Sequence, residues 1–429
     1  MLLQVKSSVG YRKMYLMIFI YRILLDIVYC TCASQVFGYI GLTYNYDILK
    51  LVLSWLLLLL SLPTLRRCTE TAYFSHTIMM FLIYLSFIPF TTMTAFFGFS
   101  DAFILANSLY WIWLLLLFNY LPRVKGKIVI ESENNDKILT VIEGIFAAVI
   151  LYISWRYAGF RFTISLSNVY TYRAEAKVAS MPAVLSYLFA ASKAVNPVLL
   201  VYSLNRKKHI NTVLITIVQI LSFSVNGSKT VFFSTILAIV LYFIYSKSLL
   251  KKMPDVMAVL CLLTYIETKL IGTTYLLAYL VRRVLFVPNQ LGSYYFDFFS
   301  ANPPDYYKQS FLRLFGAKSQ YSDIDHMIGA YYLGKPDIGA NSGLISDAVT
   351  NLGSAGIFIM PVILVIILRI LDMCSEGIEK RIYISTSITV AFILISSFLP
   401  TVLLTHGLIA LCIVLMLIPR NNQNVNALG

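Results

Sequence analysis

The sequence predicts an all-α, polytopic membrane protein, and three observations carry that prediction. The first is composition: 59% of the 429 residues are hydrophobic and only 13% are charged, whereas soluble domains average about 25% charged residues. The second is that several apolar stretches approach the roughly 20 residues that a helix needs to cross a bilayer. The third is an uneven distribution of Lys and Arg, which sets the orientation of membrane helices. Together these observations exclude a water-soluble protein.

Hydropathy predicts about twelve transmembrane helices in a single integral membrane domain that covers residues 1–429. The predicted span at 343–370 is expected to begin with a short helix that does not cross the membrane. An even number of spans puts both termini on the same side of the membrane. The predicted spans are 15–40, 49–65, 76–97, 102–121, 138–157, 182–204, 210–226, 230–246, 254–280, 343–370, 382–400 and 402–419.

Positive charge fixes which side this is. The segments on one side carry 19 Lys and Arg residues, whereas the short loops opposite, at 41–48, 98–101 and around 401, carry none. Because cytoplasmic loops are enriched in Lys and Arg, both termini are expected in the cytoplasm. The outer face then has two long loops, 158–181 and 281–342. This topology explains the net charge of +14, so no nucleic-acid partner is predicted.

The outer face holds cations that the topology does not require. Arg173 lies in the first long loop, and Arg282 and Arg283 follow an apolar run at the start of the second. Lys229 lies in the tight outer turn "VNGSKT". This turn resembles the end of a phosphate-binding loop, but Ser222 stands where that loop needs its first glycine, so a P-loop is excluded. A group of cations at the membrane surface predicts an anionic ligand.

The second long loop also contains an acidic stretch, "YSDIDHMIGAYYLG". Asp323, Asp325 and His326 suit either a metal site or a general base that deprotonates a hydroxyl. The sequence shows no second set of metal ligands nearby. The base is therefore favoured, and neither a metal nor another cofactor is predicted. The aromatic segment before it, 293–307, suits either anchoring at the membrane interface or stacking against sugars.

Two further pairs of polar residues fall in predicted helices. Arg22 and Asp26 are four residues apart in the first span, so they share a helix face and can pair. A self-neutralised structural pair is favoured over a functional site there. Asp347 and Asn351 share one face of a helix rich in small residues, which suits close packing beside a cavity.

Four motifs follow one another along residues 140–370. They are "VYTYRAE" (169–175), "NGSKT" (226–230), "VRRVLFVPNQLGSYYFDFF" (281–299) and "NSGLISDAVTNLGSAGI" (341–357). In this order, on a frame of twelve spans, they resemble the O-antigen polymerases, also called oligosaccharide repeat-unit polymerases. The first four spans carry none of these motifs.

The resemblance implies a lipid-donor (GT-C-like) glycosyltransferase in a bacterial inner membrane, with both long loops in the periplasm. Such an enzyme polymerises undecaprenyl-pyrophosphate-linked oligosaccharides, which serve as both donor and acceptor, into O-antigen or capsule. Its further partners would be membrane lipids, a chain-length regulator and a flippase.

The resemblance and the chemistry of the reaction also imply roles for individual residues. The leaving group is a lipid pyrophosphate, whose negative charge grows as the glycosidic bond breaks, and arginine forks bind phosphate well. The implied pyrophosphate ligands are Arg173, Lys229, Arg282 and Arg283. The candidate bases for the attacking sugar hydroxyl are His326, Asp325 and Asp323.

Two alternatives stay open at this point. An O-antigen ligase or another lipid-linked glycosyltransferase would share the cationic site. A transporter, such as the flippase of the same lipid-linked units, would instead line several spans with charges and keep its loops short on both faces.

Overall fold

The computed structural model describes residues 2–124, 126–160, 181–226, 229–246 and 248–420. Within these ranges all regular structure is helical and no strand occurs, so the predicted all-α class is confirmed. The α-helices are α1 (Leu2–Val28), α2 (Ser34–Phe37), α3 (Ile48–Thr71), α4 (Phe74–Leu82), α5 (Ile88–Phe96), α6 (Asp101–Tyr120), α7 (Asn135–Ala158), α8 (Ala183–Asn205), α9 (His209–Asn226), α10 (Lys229–Ile244), α11 (Met253–Ile266), α12 (Val287–Ala301), α13 (Ile324–Leu333), α14 (Ile345–Leu352), α15 (Gly356–Ser375), α16 (Lys380–Ser396) and α17 (Leu408–Leu417).

The described helices support a membrane protein, although they do not fix twelve crossings. Seven segments are long and apolar enough to cross a bilayer: Gly10–Ile40, Ile48–Thr71, Phe74–Phe96, Asp101–Tyr120, Asn135–Ala158, Ala183–Asn205 and Ile345–Ser375. Each coincides with a predicted span. The remaining predicted spans coincide with helices that are shorter or interrupted, including three apolar helices of 10–17 residues. The count of twelve stays a prediction.

Several helices continue through π-helical stretches rather than ending in loops. Tyr29–Ala33 follows α1, and Ile83–Phe87 joins α4 to α5. Glu267–Ile271 extends α11, and Leu277–Phe286 leads directly into α12. Short π-helical insertions are rare in proteins, and many of those that occur lie at functional sites. The Leu277–Phe286 stretch carries both arginines of the predicted phosphate site.

The chain packs into two compact units, and the single integral membrane domain stays a prediction. Arg282, Arg283 and the acidic stretch belong to the first unit, whereas Lys229 belongs to the second. The first unit comprises Met1–Arg123, Ser246–Leu368 and Ala391–Leu399, and the second comprises Val124–Tyr245, Arg369–Val390 and Pro400–Gly429.

A buried helix and a buried arginine organise the first unit. The most apolar window of Phe74–Phe96 is entirely buried. Arg22 of α1 is buried against it and donates to the side chain and the carbonyl of Thr91, at 3.0 and 2.9 Å, and to Ser54 Oγ at 2.9 Å. Its Nη1 donates to Asp26. The predicted Arg22–Asp26 pair is confirmed, and its many internal partners support a structural role.

The second unit has its own apolar core between α7, α8 and α9. Ile150 and Ile153 of α7 pack with Phe189 of α8 and with Val218 and Leu221 of α9. All five side chains are buried. Burial of side chains on each of the three helices gives this unit a hydrophobic core of its own.

Candidate functional site

Arg282 and Arg283 lie inside a helix rather than after one. The span predicted at 254–280 ends at Ile271, and Gly272 follows with a φ of 80°. Glycine adopts this left-handed conformation without a Cβ clash, so the chain can turn there. Helical structure then resumes and runs through Leu277–Phe286 into α12 without a break. The two arginines are therefore held on a regular element.

Glu267 fixes the start of that element. Its Oε1 accepts the N–H of Tyr275 and its Oε2 accepts the N–H of Leu276, each at 2.7 Å. The hydroxyl of Thr273 donates to Oε1 at 3.1 Å. The first N–H groups of a helix have no partner within the helix, and the helix dipole favours a negative charge beside them. The carboxylate of Glu267 thus anchors the helix that carries the arginines.

We expect Glu267→Ala to destabilise the protein by about 1–2 kcal/mol, as loss of a helix cap typically does, because two backbone N–H groups lose their acceptor. The apparent unfolding midpoint of the purified protein in detergent should fall. Glu267→Gln keeps one oxygen as an acceptor and should lower the midpoint less. An unchanged midpoint in Glu267→Ala would contradict the anchoring role.

Two cations contact α2, and a third follows one of them in the chain. The guanidinium carbon of Arg282 lies 4.6 Å from the ring centroid of Phe37. Lys269 Nζ donates to Gln35 Oε1 at 2.9 Å, two residues before that phenylalanine. Arg283 is exposed, and among the described residues no carboxylate forms an ion pair with it. Lys269, Arg282 and Arg283 are called the cationic patch below.

Lys269 was not among the predicted phosphate ligands. In the sequence it is a charged residue inside the predicted span 254–280, 13 positions before Arg282. The turn at Gly272 and the shared contact with α2 bring the two cations to the same short helix. Gly272, which follows Glu267–Ile271, was the sequence signal that the helix ends there.

Exposed apolar side chains accompany the cationic patch. Each is more than half exposed, namely Tyr39, Leu270, Ile271, Tyr275 and Tyr279. Large exposed apolar groups usually mark a contact with a membrane, a protein or a ligand. Together with the cations, they suit a ligand that combines an anionic headgroup with an apolar chain.

A second polar group lies at the start of α13. Asp323, Asp325 and His326 each offer one atom that can bind a metal, and these atoms lie within 4.8 Å of one another. The backbone N–H of His326 donates to Asp325 Oδ1 at 2.9 Å. Its ring Nδ1 lies 2.7 Å from the carbonyl oxygen of Pro336. Nδ1 therefore carries the proton that is donated there, and Nε2 keeps the lone pair in the neutral ring. These three residues are called the Asp–His cluster.

The two carboxylates of the Asp–His cluster interact with each other. The pKa of Asp325 is raised to about 6, first by burial of its carboxyl group and then by neighbouring Asp323. Among the described residues, no Lys or Arg forms an ion pair with either aspartate. Two adjacent carboxylates without such a partner favour a shared proton or a bound cation. Both acid–base chemistry and cation binding are open to this cluster.

The described contacts place the Asp–His cluster beside the middle of α12. The N–H of Ala340 donates to the carbonyl of Asp325 at 3.0 Å, and the hydroxyl of Tyr295 donates to the carbonyl of Ala340 at 3.0 Å. Tyr295 follows Arg283 by more than three helical turns. The three predicted bases are thus together, but no described contact joins them to the arginines. Their action as bases at the cationic patch stays a prediction.

Asp347 connects two interrupted helices of the first unit. It is buried on α14, its Oδ1 accepts from Asn351 Nδ2 at 2.7 Å, and its Oδ2 accepts the N–H of Leu399 at 2.5 Å. Leu399 lies just beyond a break in helical structure at residues 397–398. Asn351 Oδ1 in turn accepts the N–H of Tyr307 at 3.0 Å. The shared face of Asp347 and Asn351 is confirmed, whereas the contact with Leu399 had no sequence signal.

Two of the predicted pyrophosphate ligands are not placed by the structure. Arg173 lies outside the described residues. Lys229 is the first residue of α10, and its side chain lies outside what the structure describes. Their roles stay predictions.

The described architecture is that of an all-helical membrane protein whose cationic patch comes from two consecutive helical elements. No family model, no curated protein and no solved structure matches the chain. The resemblance to O-antigen polymerases stays an expectation drawn from the sequence motifs.

Proposed function

We propose that this protein is a glycosyltransferase of a bacterial inner membrane. It polymerises undecaprenyl-pyrophosphate-linked oligosaccharide repeat units at the periplasmic face. The observation that carries the proposal is the cationic patch, which presents three positive charges beside exposed apolar side chains. The four sequence motifs supply the class of substrate.

The chemistry of the transfer explains why the cations matter. A hydroxyl of the acceptor sugar attacks the anomeric carbon of the donor, and the bond from that carbon to the pyrophosphate oxygen breaks. The leaving lipid pyrophosphate gains negative charge in the transition state, so preorganised cations stabilise that state more than the ground state. Arg282 and Arg283 are forked donors suited to phosphate oxygens. The hydroxyl proton passes to a base, for which Asp323, Asp325 and His326 are the candidates.

Deletion of the gene, followed by gel electrophoresis of surface polysaccharide, tests the proposal. Loss of a polymerase leaves single repeat units on the acceptor, whereas loss of a ligase or a flippase leaves none. The purified full-length protein should also form polymer from lipid-linked repeats alone. An unchanged ladder of long chains after deletion, with no polymer formed in vitro, would overturn the proposal.

A transporter of the same lipid-linked units is the second candidate. The observation that favours it is the pair of interrupted helices joined by Asp347, since broken helices are typical of transporters. Proteoliposomes containing the purified protein separate the two functions. A transporter moves the lipid-linked unit between leaflets without lengthening it, whereas a polymerase lengthens it.

The proposed topology places the segment after α12 outside the cytoplasm. We expect a cysteine introduced at the exposed position Lys318 to react with a membrane-impermeant maleimide in intact spheroplasts. The native cysteines are buried or only partly accessible, so the unmodified protein gives the background. Arg206→Cys is the matched control on the other predicted side and should react only after permeabilisation. The reverse pattern at the two positions would invalidate the topology.

A further inference from the structure

We infer that the Asp–His cluster is a binding site for a divalent metal ion of the Mn²⁺ or Zn²⁺ type. The sequence favoured a base at these residues because no second set of ligands was visible nearby. The structure favours a metal instead, because residues 336–340 contact two of the three side chains. These contacts were not apparent from the sequence. The inference concerns binding and does not depend on the proposed function.

The ligand atoms are close to the spacing that one ion requires. Asp323, Asp325 and His326 contribute one atom each, all within 4.8 Å of one another. Carboxylate oxygens and imidazole nitrogens bind such ions at about 2.0–2.2 Å, so two ligands of one ion lie up to about 4.4 Å apart. Small side-chain adjustments would therefore bring the two carboxylates and the imidazole around one ion. All three ligands come from the first turn of α13 and the residue before it.

A neighbouring segment holds two of the three ligands in place. The contact between His326 Nδ1 and the carbonyl of Pro336, at 2.7 Å, leaves Nε2 free to bind a metal. Histidine ligands of metals commonly donate their other ring N–H in this way. Gly339 packs against the second ligand, because a Cβ built there would lie 2.5 Å from Asp325 Oδ2. The absence of a side chain at this position makes room for the carboxylate.

Charge and exposure indicate the kind of ion and the kind of site. Two carboxylates without a basic partner among the described residues are best neutralised by a dication. Carboxylates suit Mn²⁺ and Mg²⁺, whereas imidazole suits Zn²⁺ and other transition metals, so the mixed set favours a transition metal such as Mn²⁺ or Zn²⁺ over Mg²⁺. Asp323 is exposed, so the ion would keep coordination positions for water or for an oxygen of a substrate. Such an open arrangement distinguishes an exchangeable site from a closed structural one.

Direct metal binding tests the inference without an activity assay. The full-length protein in detergent, stripped of metal, is titrated with Mn²⁺ while free Mn²⁺ is followed by its electron paramagnetic resonance signal. We expect one saturable ion per chain, displaced by Zn²⁺. Asp325→Asn and His326→Gln should each weaken binding at least tenfold. Gly339→Ala leaves all ligands intact but its methyl group displaces the Asp325 carboxylate, and it should weaken binding by about 10–100-fold, the usual effect of changing a residue that positions a metal ligand.

Asp337→Asn is the matched control, because this exposed carboxylate lies in the same segment but outside the cluster. It should bind Mn²⁺ as the unmodified protein does. Absence of a saturable site, or equal binding by the unmodified protein and by Asp325→Asn, would overturn the inference. Either result leaves the proposed polymerase function untouched, because the cationic patch requires no metal. Unfolding midpoints measured without metal confirm that each variant is folded.

Discussion

Replacement of Arg283 or Arg282 by alanine is expected to lower the rate of polymerisation by about 10²–10³-fold, the usual effect of losing one preorganised charge contact at a developing anion. Arg283 is exposed and has no carboxylate partner among the described residues, so a structural ion pair does not explain it. The measurement is the rate at which purified protein extends lipid-linked repeats. Protein level, followed by immunoblot, should not change.

Lysine at each position separates phosphate binding from simple anchoring at lipid headgroups. Lysine keeps the charge but loses the planar fork, so it should restore activity only in part if the arginines bind pyrophosphate. Anchoring needs charge alone, and full chain length in both Arg282→Lys and Arg283→Lys would remove the pyrophosphate role. Arg313→Ala is the control, because Arg313 is an equally charged, exposed residue in the 3₁₀ segment Phe311–Phe315 and matches no motif.

The fold was predictable where a helix is long and continuously apolar. The fully buried Phe74–Phe96 segment lies almost where hydropathy predicted it. A helix that is apolar on every side can be predicted from its hydropathy alone. The span at 254–280 was wrong at its end, since α11 and its π-helical extension stop at Ile271. A mean hydropathy taken over a window of residues changes little at a single glycine, and the apolar residues of the next helix keep that mean high.

The candidate sites were predictable only as far as their contacts are local. Asp323, Asp325 and His326 lie within four consecutive residues, so their proximity follows largely from their closeness in the chain. The contact between Lys269 and Gln35 joins residues 234 positions apart, and nothing in the chain pairs them. The contacts of Pro336 with His326 and of Gly339 with Asp325 likewise depend on tertiary structure. The sequence therefore predicted the chemical groups, whereas the long-range contacts of each group depended on the tertiary structure.

Asp347→Ala is expected to cause the largest loss of stability among the changes considered. The substitution leaves the Leu399 N–H without its acceptor and removes the shorter of the two hydrogen bonds that the Asn351 amide donates to Asp347, and both residues are buried. Each buried donor left unsatisfied costs about 1–3 kcal/mol. The apparent unfolding midpoint in detergent should therefore fall well below that of the unmodified protein. Asp347→Asn keeps one acceptor oxygen, so its midpoint should lie between those of Asp347→Ala and the unmodified protein.

The coupling between Asp347 and Asn351 provides a stricter test than the single change. If their 2.7 Å hydrogen bond contributes as proposed, Asn351→Ala should destabilise the protein less in the Asp347→Ala background than in the unmodified protein. Asp337→Ala, which removes an exposed carboxylate, should change the midpoint by little, as surface substitutions do. Strict additivity of Asp347→Ala and Asn351→Ala would show that this hydrogen bond does not contribute. A midpoint for Asp347→Ala equal to that of Asp337→Ala would show that the buried carboxylate does not hold the interrupted helices together.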